Sequence, residues 1–228
     1  MKVRLISHTV PGRRFRLEEG LDENTDNLQD LVAYCARVSN PTNQNNTETA
    51  DRLISYLVRN KHWSPLEMVS ACLEIETTRD IARQILRHRS FSFQEFSQRY
   101  ADPTIEFEHM FENREARLQD YSNRQNSLET NNEEVHQNWI SQQDMVRVAA
   151  MKAYKWAIEH NIAKEQARAV LPEGLTKSRL YMNGTLRSWV HYIELRSENG
   201  TQKEHMEIAK ECAVVLAPIF PIIKNKIN

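Results

Sequence analysis

Met68-Val69-Ser70-Ala71-Cys72-Leu73-Glu74-Ile75-Glu76 is a stretch in which apolar residues alternate with more polar ones. The odd-numbered positions from 69 to 75 are all apolar, and this period of two predicts a half-buried β-strand. Thr77 or Thr78 can cap a helix immediately afterwards, with Asp80 in its first turn. The sequence therefore predicts a strand that runs directly into a helix.

Helices dominate the rest of the chain. Apolar residues recur at helical spacing over residues 27–38, 47–61, 138–160, 164–171, 186–197 and 202–215. A first strand is predicted over residues 3–6, and residues 94–100 are expected to be extended. Few strands among several helices, with no internal repeat and no linker, predict an α+β fold. We expect a single domain over residues 1–228, with a mixed or mostly antiparallel sheet and several packed helices.

Residues 102–137 differ in composition from the segments around them. They are rich in Asn, Gln, Glu and Arg and poor in apolar residues. We predict an exposed, partly irregular polar insertion, for which the sequence indicates no role.

The overall composition excludes some classes of partner. The chain has 228 residues, a net charge of -1, 40% hydrophobic residues and 27% charged residues. No global field therefore attracts nucleic acid or anionic lipid. The first residues are too polar for a signal peptide, and the apolar run at 213–223 contains two prolines and is shorter than a bilayer span. We expect a cytoplasmic protein with no membrane or nucleic-acid partner.

The three cysteines, Cys35, Cys72 and Cys212, are far apart and form no Cys-x-x-Cys pair. Neither a zinc site nor a disulfide framework is predicted, and no other metal site is expected. Cys35 and Cys212 lie on apolar helical stripes and Cys72 lies within the strand. None has an adjacent base or cation that would favour a thiolate, so none is expected to be a nucleophile.

Arg87-His88-Arg89-Ser90-Phe91-Ser92-Phe93-Gln94-Glu95-Phe96-Ser97-Gln98-Arg99 concentrates the chemistry of ligand binding. Guanidinium groups match phosphate and carboxylate geometry, and aromatic faces can stack on rings. The segment therefore suits a phosphorylated, ring-bearing ligand. Two alternatives are a solvated basic helix end followed by a strand, and a single-stranded nucleic-acid-binding module that uses residues 87–99. The near-zero net charge weakens the nucleic-acid alternative.

The order of these residues (Arg-His-Arg, seven residues, Ser, one residue, Arg) resembles the signature of flavin-dependent thymidylate synthases. The family pattern has Asn where this chain has Gln94, which keeps the amide. Segments 36–39, 62–67, 167–172 and 183–196 also resemble segments of that family. The resemblance implies methylation of dUMP to dTMP with FAD as cofactor, NADPH as reductant and methylenetetrahydrofolate as carbon donor. It also implies a homotetramer with active sites at subunit interfaces.

The same resemblance implies a role for individual residues. FAD contacts are implied for Ser39, His62, Ser64, Arg87, His88, Arg89, Glu95, Thr185, Arg187 and His191. Contacts with dUMP are implied for Gln84, Arg87, Glu95, Phe96, Ser97, Gln98, Arg99, Arg168 and Arg196. From the residues alone, four of these could have an ordinary structural role. Gln84 could be a surface glutamine, Ser39 a helix-end serine, His62 a loop histidine and Arg168 a helix-terminal arginine.

Arg196 is the candidate catalytic residue, because the resemblance places it beside the uracil ring. Arg187 and His191 are four residues apart and share a helix face, whereas Arg196 points elsewhere. A guanidinium beside uracil can stabilise negative charge on the ring and enrich C5 in electron density. Ser97 has no partner base in the sequence pattern and is assigned to binding. The two arginines that flank His88 disfavour its protonation, which predicts a neutral imidazole.

The chain has no G-x-G-x-x-G motif and only five glycines. A flavin pyrophosphate would therefore be held by arginines, hydroxyls and helix ends rather than by a glycine-rich loop.

Overall fold

An antiparallel sheet forms the centre of the computed structural model, which describes residues 2–19 and 28–226. The strands are β1 (Lys2–His8), β2 (Ser70–Thr78), β3 (Ser92–Glu95), β4 (Arg117–Gln119), β5 (Ser127–Glu129) and β6 (Lys177–Thr185). Four of them form the main sheet in the order β1-β2-β6-β3, and β4 pairs with β5 in a separate hairpin. All of these pairs are antiparallel, which confirms the predicted α+β class and the predicted sheet type.

Helices surround this sheet. They are α1 (Arg13–Glu19), α2 (Leu28–Ala36), α3 (Ala50–Arg59), α4 (Arg79–Ile85), α5 (Pro103–Glu106), α6 (Glu133–Glu159), α7 (Lys164–Ala167), α8 (Leu186–Ser197) and α9 (Lys203–Leu216). Short 3-10 helices cover Pro41–Asn43, Ser64–Glu67, Arg168–Val170 and Pro221–Lys226. The helix predicted over 186–197 is confirmed with the same bounds. The helix predicted from residue 27 is seen from Leu28, and residue 27 lies outside the described residues.

The core lies on one face of the sheet, beneath α8 and α9. Leu73, Ile75, Leu180 and Met182 on the two central strands are all 0% exposed. They belong to one apolar cluster with Trp189 of α8 and with residues of α9. Fully burying such a side chain contributes about 1.5–3 kcal/mol, so this cluster holds α8 firmly on the sheet.

The opposite face of the sheet carries charged side chains. Arg4 donates to Glu74 at 2.7 Å and 2.9 Å, and Arg179 donates to Glu76 at 3.1 Å. Glu74 is only 4% exposed, which the simple alternation along β2 did not predict. The hydrogen bonds from Arg4 hold the pKa of Glu74 below its usual value, so its carboxylate is compensated where it lies.

Strand β6 is a central element that the sequence analysis missed. It pairs with β2 along nine residues and with β3 along four. Its sequence mixes two apolar residues with lysine, arginine, asparagine and glycine, which are uncommon in strands. Helix α1 was also missed.

The prediction of an extended segment over 94–100 is wrong beyond Glu95. Strand β3 ends there, and the chain turns at Ser97, whose carbonyl accepts from the backbone N–H groups of Tyr100 and Ala101, both at 3.1 Å. The hydroxyl of Ser97 lies 3.4 Å from the backbone nitrogen of Arg99. Such local bonds replace the ladder that a continued strand would need.

The predicted irregular insertion at 102–137 is more ordered than expected. It contains α5, the β4–β5 hairpin and the first turn of α6, which begins at Glu133 rather than near residue 138. The side chain of Asp120 accepts hydrogen bonds from Ser122, Asn123 and Asn126 within the hairpin loop. These bonds lower the pKa of Asp120 to about 2. Polar side chains thus build this segment from hydrogen bonds, which a search for apolar periodicity cannot detect.

Candidate active site

Segment 87–99 is fastened to α8 and β6 at the end of α4. The hydroxyl of Ser188 donates to the carbonyl of Ser90 at 3.1 Å. The ring of Phe91 packs over Gly184, where a Cβ atom would collide with it. Thr185 caps α8 by accepting from the N–H of Ser188 at 3.3 Å. The two segments singled out by the sequence therefore meet in space.

Arg196 and His88 form the centre of this junction. The Nε of Arg196 donates to Nε2 of His88 at 2.9 Å. Burial, followed by the charge of Arg196, lowers the pKa of His88 to about 4. A neutral imidazole was predicted, and burial together with Arg196, rather than the flanking Arg87 and Arg89, disfavours its protonation.

Arg87 and Arg89 are exposed and make no ion pair with a described residue. Both guanidinium groups face solvent on the outside of the His88–Arg196 junction. They are available to a ligand or a second chain.

Two residues that the sequence did not identify, Tyr192 and His205, line the inner side of His88. The ring of Tyr192 meets His88 edge to face, with centroids 4.9 Å apart. The hydroxyl of Tyr192 lies 3.1 Å from Nε2 of His205, which is 0% exposed. Gln84, a predicted dUMP contact, is bonded to His205 at 3.3 Å and to Gln202 at 2.7 Å. His205 lies in the first turn of α9, and nothing in the sequence marked it as a residue of the site.

Glu95 lies in a second polar cluster at the end of β3. It accepts from the hydroxyl of Ser178 at 2.8 Å and lies 3.8 Å from Nη1 of Arg79. Burial lowers the pKa of Arg79, and the charge of Arg168 lowers it further, while Glu95 opposes this. Arg168 is thus close enough to Arg79 for their charges to interact.

Arg99 and Arg168, both predicted to bind dUMP, lie on either side of Glu165. The Nε of Arg99 is 3.5 Å from the Glu165 carboxylate, and the Nε of Arg168 donates to its backbone carbonyl at 3.3 Å. Two arginines that are far apart in sequence thus both contact Glu165, and the hydroxyl of Ser97 lies near the backbone nitrogen of Arg99.

Phe96 contacts a neighbouring ring, and Gln98 is buried. The Phe96 ring packs against Phe107 at 5.1 Å, and Gln98 is only 3% exposed. The amide nitrogen of Gln98 has no hydrogen-bond partner among the described residues. Of these two predicted dUMP contacts, Gln98 is thus enclosed and Phe96 is partly exposed.

Three of the residues predicted to hold flavin, His62, Arg187 and His191, lie near the N-terminal half of α8, apart from the predicted contacts Arg87, His88, Arg89 and Glu95. Arg187 forms an ion pair with Glu67, and the ring of His191 lies 4.3 Å from that of Trp63. The neighbouring His62 contacts Tyr56, with ring centroids 6.0 Å apart.

A groove of about 720 Å³ lies beside this cluster. It is lined by Ser39, Arg52, Arg59, Tyr56 and Pro65 together with neighbouring residues. Pro65 follows Ser64 in the 3-10 helix, which places Ser39 and Ser64 on the same side of the molecule. Exposed guanidinium groups, hydroxyls and an aromatic ring suit a ligand with phosphates and a ring system.

All three cysteines are free thiols. Burial raises the pKa of Cys35, Cys72 and Cys212, and Cys212 is 0% exposed. A raised pKa is the opposite of what a cysteine nucleophile needs, in agreement with the prediction.

The aromatic residues of segment 87–99 do not form a stacking surface. Phe91 is 8% exposed and packs on Trp189 at 4.8 Å, and Phe93 packs against the core. The nucleic-acid alternative required exposed rings and lacks them at these two positions.

Residues 2–19 and 28–226 lack two kinds of feature. No group of three or more metal-ligating side chains there could hold a metal ion. No helix there has the length and apolar character needed to cross a bilayer.

Comparison with known proteins gives consistent matches. The model of a family described as "Thymidylate synthase complementing protein" matches residues 21–222. A "Probable flavin-dependent thymidylate synthase" of Paramecium bursaria Chlorella virus 1 is 44% identical over 100% of this chain and 99% of the relative. A "Flavin-dependent thymidylate synthase" of Synechocystis sp. is 46% identical over 98% of this chain and 97% of the relative.

A similar fold is found among solved structures. A crystal structure of the UMP/dUMP methylase PolB from Streptomyces cacaoi, bound with 5-Br dUMP, superposes with a TM-score of 0.75. It is 24% identical, and the match covers 99% of this chain and 93% of PolB. At this identity the likeness supports the fold.

Proposed function

The chain belongs to the flavin-dependent thymidylate synthase family, and we propose that its catalytic centre is the junction of α8 with segment 87–99. Enzymes of this family convert dUMP to dTMP by reductive methylation. Methylenetetrahydrofolate supplies the carbon, and FAD reduced by NADPH supplies the hydride. The further assignments below rest on the contacts within this chain.

One observation carries the placement of the centre. The hydrogen bond from Arg196 to His88 joins the guanidinium predicted to lie beside uracil to the histidine of the Arg-His-Arg segment. Because His88 accepts through Nε2 and is neutral, it orients Arg196 without neutralising its charge. The remaining N–H groups of the fork can then donate to a ring that gains negative charge.

The chemistry at C5 of uracil requires electron density on that carbon. With no cysteine disposed to attack C6, we assign this activation to Arg196, which stabilises negative charge on N3 and the ring carbonyl oxygens. Removing one such preorganised donor typically costs about 2.7–4 kcal/mol of activation free energy.

Arg99, Arg168 and Ser97 suit the phosphate of dUMP. Two guanidinium groups flank Glu165, and the Ser97 hydroxyl lies beside the backbone of Arg99. A bound phosphate could replace the weak, exposed pairing of Arg99 with Glu165 by charge-assisted hydrogen bonds, each worth about 1.5–3 kcal/mol.

The groove beside Ser39 fits FAD by its chemistry. Arg52 and Arg59 are exposed there and could bind a pyrophosphate, while Ser39 offers a hydroxyl. Arg187 contacts Glu67 and His191 contacts Trp63, so both side chains lie near this groove. We assign flavin binding to this end of α8.

We further assign a homotetramer with active sites between subunits. Helix α6 exposes Ile140 (39%), Met145 (56%), Val148 (69%) and Trp156 (54%), and two grooves of about 610 and 810 Å³ run along it. A contiguous apolar surface of this kind is typical of an interface. The exposed Arg87 and Arg89 could then reach a ligand shared with another subunit. The free thiols suit the cytoplasm, to which we assign the protein.

The proposal is tested on the purified protein. We expect flavin bands in the visible absorption spectrum, a change in those bands on titration with dUMP, and dTMP formation with NADPH and methylenetetrahydrofolate. A protein that stays colourless after incubation with FAD, or that binds FAD without forming dTMP, would contradict it.

A further inference from the structure

A partly buried chain of hydrogen bonds runs from Glu204 of α9 to Tyr192, whose ring contacts His88. It runs through five side chains, namely Glu204, Gln202, Gln84, His205 and Tyr192. The donor–acceptor distances along it are 2.9 Å, 2.7 Å, 3.3 Å and 3.1 Å. Its inner members are enclosed, since His205 is 0% and Tyr192 is 1% exposed.

The carboxylate of Glu204 sets the direction of this chain. An ionised carboxylate only accepts hydrogen bonds, so the group of Gln202 beside it must be the amide NH2. The carbonyl oxygen of Gln202 then faces Gln84 and accepts from its amide nitrogen. The carbonyl oxygen of Gln84 is therefore turned toward His205 and requires a donor there.

The same reasoning fixes the tautomer of His205. Its Nδ1 carries the proton and donates to Gln84, so its Nε2 accepts from the hydroxyl of Tyr192. The Tyr192 ring in turn packs edge to face on His88, which accepts from Arg196. The Glu204 carboxylate thereby fixes the hydrogen-bond directions as far as the hydroxyl of Tyr192, whose ring contacts His88.

The insertion at 102–137 holds this carboxylate in place. Arg114 Nη1 lies 2.9 Å from one oxygen of Glu204, and Arg117 Nη2 donates to the other at 2.6 Å. Both arginines are largely enclosed, with side chains 15% and 11% exposed. They favour the ionised form of Glu204, which is the form that accepts from Gln202.

We propose that His205 is a positioning residue for dUMP binding: by donating through Nδ1 to the Gln84 carbonyl, while Gln202 accepts from the Gln84 amide nitrogen, it holds the Gln84 side chain in one orientation. The inference rests on the proposed function, because the dUMP contact of Gln84 belongs to it. The ordered insertion then has the role of holding the Glu204 carboxylate, which sets the orientation of the Gln202 and Gln84 amides.

The test compares two replacements of His205 in the FAD-loaded enzyme. His205→Leu keeps similar bulk but leaves the Gln84 carbonyl without a donor, and should raise the KM for dUMP about tenfold or more. His205→Asn can place an amide N–H near the Nδ1 position and should keep that KM within about threefold of wild type. The KM for NADPH should not change in either variant.

Two controls separate positioning from loss of stability. Ile208→Val, one turn further along α9, should lower Tm without changing the KM for dUMP, because Ile208 is buried but outside the chain of hydrogen bonds. If His205→Leu does not fold, Glu204→Gln replaces it. That change lets the Gln202 amide reverse and should raise the KM, whereas Asp80→Asn, which weakens another ion pair of Arg114, should not.

The proposal is overturned if His205→Leu, or Glu204→Gln in its place, has the wild-type KM for dUMP. It is also overturned if His205→Asn is as impaired as His205→Leu, since the donated proton would then not matter. Failure of the wild-type enzyme to bind FAD or dUMP would instead contradict the proposed function.

Discussion

Arg196 donates to His88 across 108 positions of sequence, at 2.9 Å. The pair joins the C-terminal half of α8 to the turn after α4, and the acceptor is a histidine kept neutral by burial. The charge of the guanidinium is therefore retained at the centre of the proposed site. A lysine could supply a similar charge but not the planar fork that both bonds His88 and faces a ring.

Arg196→Lys is accordingly expected to bind FAD normally and to lose most turnover. The expected fall in kcat is about 100- to 1000-fold, corresponding to the loss of one preorganised donor in the transition state. Steady-state dTMP formation and the flavin spectrum measure the two properties. Arg14→Lys, on the exposed helix α1, is the matched control and should behave as wild type. Near-normal turnover of Arg196→Lys would remove Arg196 from the catalytic role.

The neutrality of His88 predicts how stability depends on pH. The unfolded chain takes up a proton at this histidine below its ordinary pKa of 6.5, whereas the folded protein does so only near 4. Between these values the unfolded state binds more protons, so stability falls as pH decreases. The slope from His88 should stay below about 1.4 kcal/mol per pH unit, since its partial exposure screens the effect.

Urea unfolding of wild type and His88→Gln from pH 7 to pH 4 isolates this contribution. The variant cannot titrate at this position, so its stability should decline less steeply with acidification than that of wild type. Asn131→Gln, at an exposed position that carries no titratable group, should leave the slope unchanged. Parallel pH profiles for wild type and His88→Gln would show that His88 is not held neutral.

Gly184 is expected to tolerate no side chain. A methyl group there would collide with the ring of Phe91, which ties segment 87–99 to β6. Gly184→Ala should therefore destabilise the protein by about 1–3 kcal/mol, measured by thermal or urea unfolding. Gly12→Ala is the control, because nothing lies within 4 Å of the added atom. Adding Phe91→Leu to Gly184→Ala should restore part of the loss, and an unchanged Tm for Gly184→Ala alone would refute the collision.

Arg99 and Arg168 are expected to act on dUMP affinity rather than on flavin binding. Arg99→Ala and Arg168→Ala should each raise the KM for dUMP about tenfold or more, because each removes a charge-assisted hydrogen bond. Arg124→Ala, in the exposed hairpin loop, should leave the KM unchanged. A KM for dUMP equal to that of wild type in both arginine variants would place the phosphate elsewhere.

Local sequence signals predicted the elements that carry the site. The strand–helix unit β2–α4 and the bounds of α8 follow from apolar periodicity and from Thr185 as a helix cap. Strand β6 could not be predicted in this way, because its outer face is polar and its stability comes from pairing on both edges. Its neighbours in the sheet are distant in sequence and decide its conformation.

The sequence predicted which residues belong to the site better than it predicted which of them contact one another. Arg196 and His88 were both singled out, but their contact depends on how α8 lies against α4. His205 was missed because a single histidine in a helix carries no pattern, and its role depends on Gln84, which is 121 positions away. The ordered hairpin at 117–129 was missed because hydrogen bonds to Asp120 rather than apolar residues organise it.

The exposed apolar face of α6 is expected to be buried between subunits of the proposed tetramer. Val148→Glu places a carboxylate where the proposed tetramer would bury an apolar surface, so it should shift the protein toward smaller species. Analytical ultracentrifugation measures the mass, and loss of dTMP formation should accompany dissociation, since the proposed sites lie between subunits. Leu17→Glu, at a residue that is 75% exposed on α1, should change neither. A Val148→Glu protein that remains a tetramer would move the interface away from α6, and a fully active monomer would contradict shared active sites.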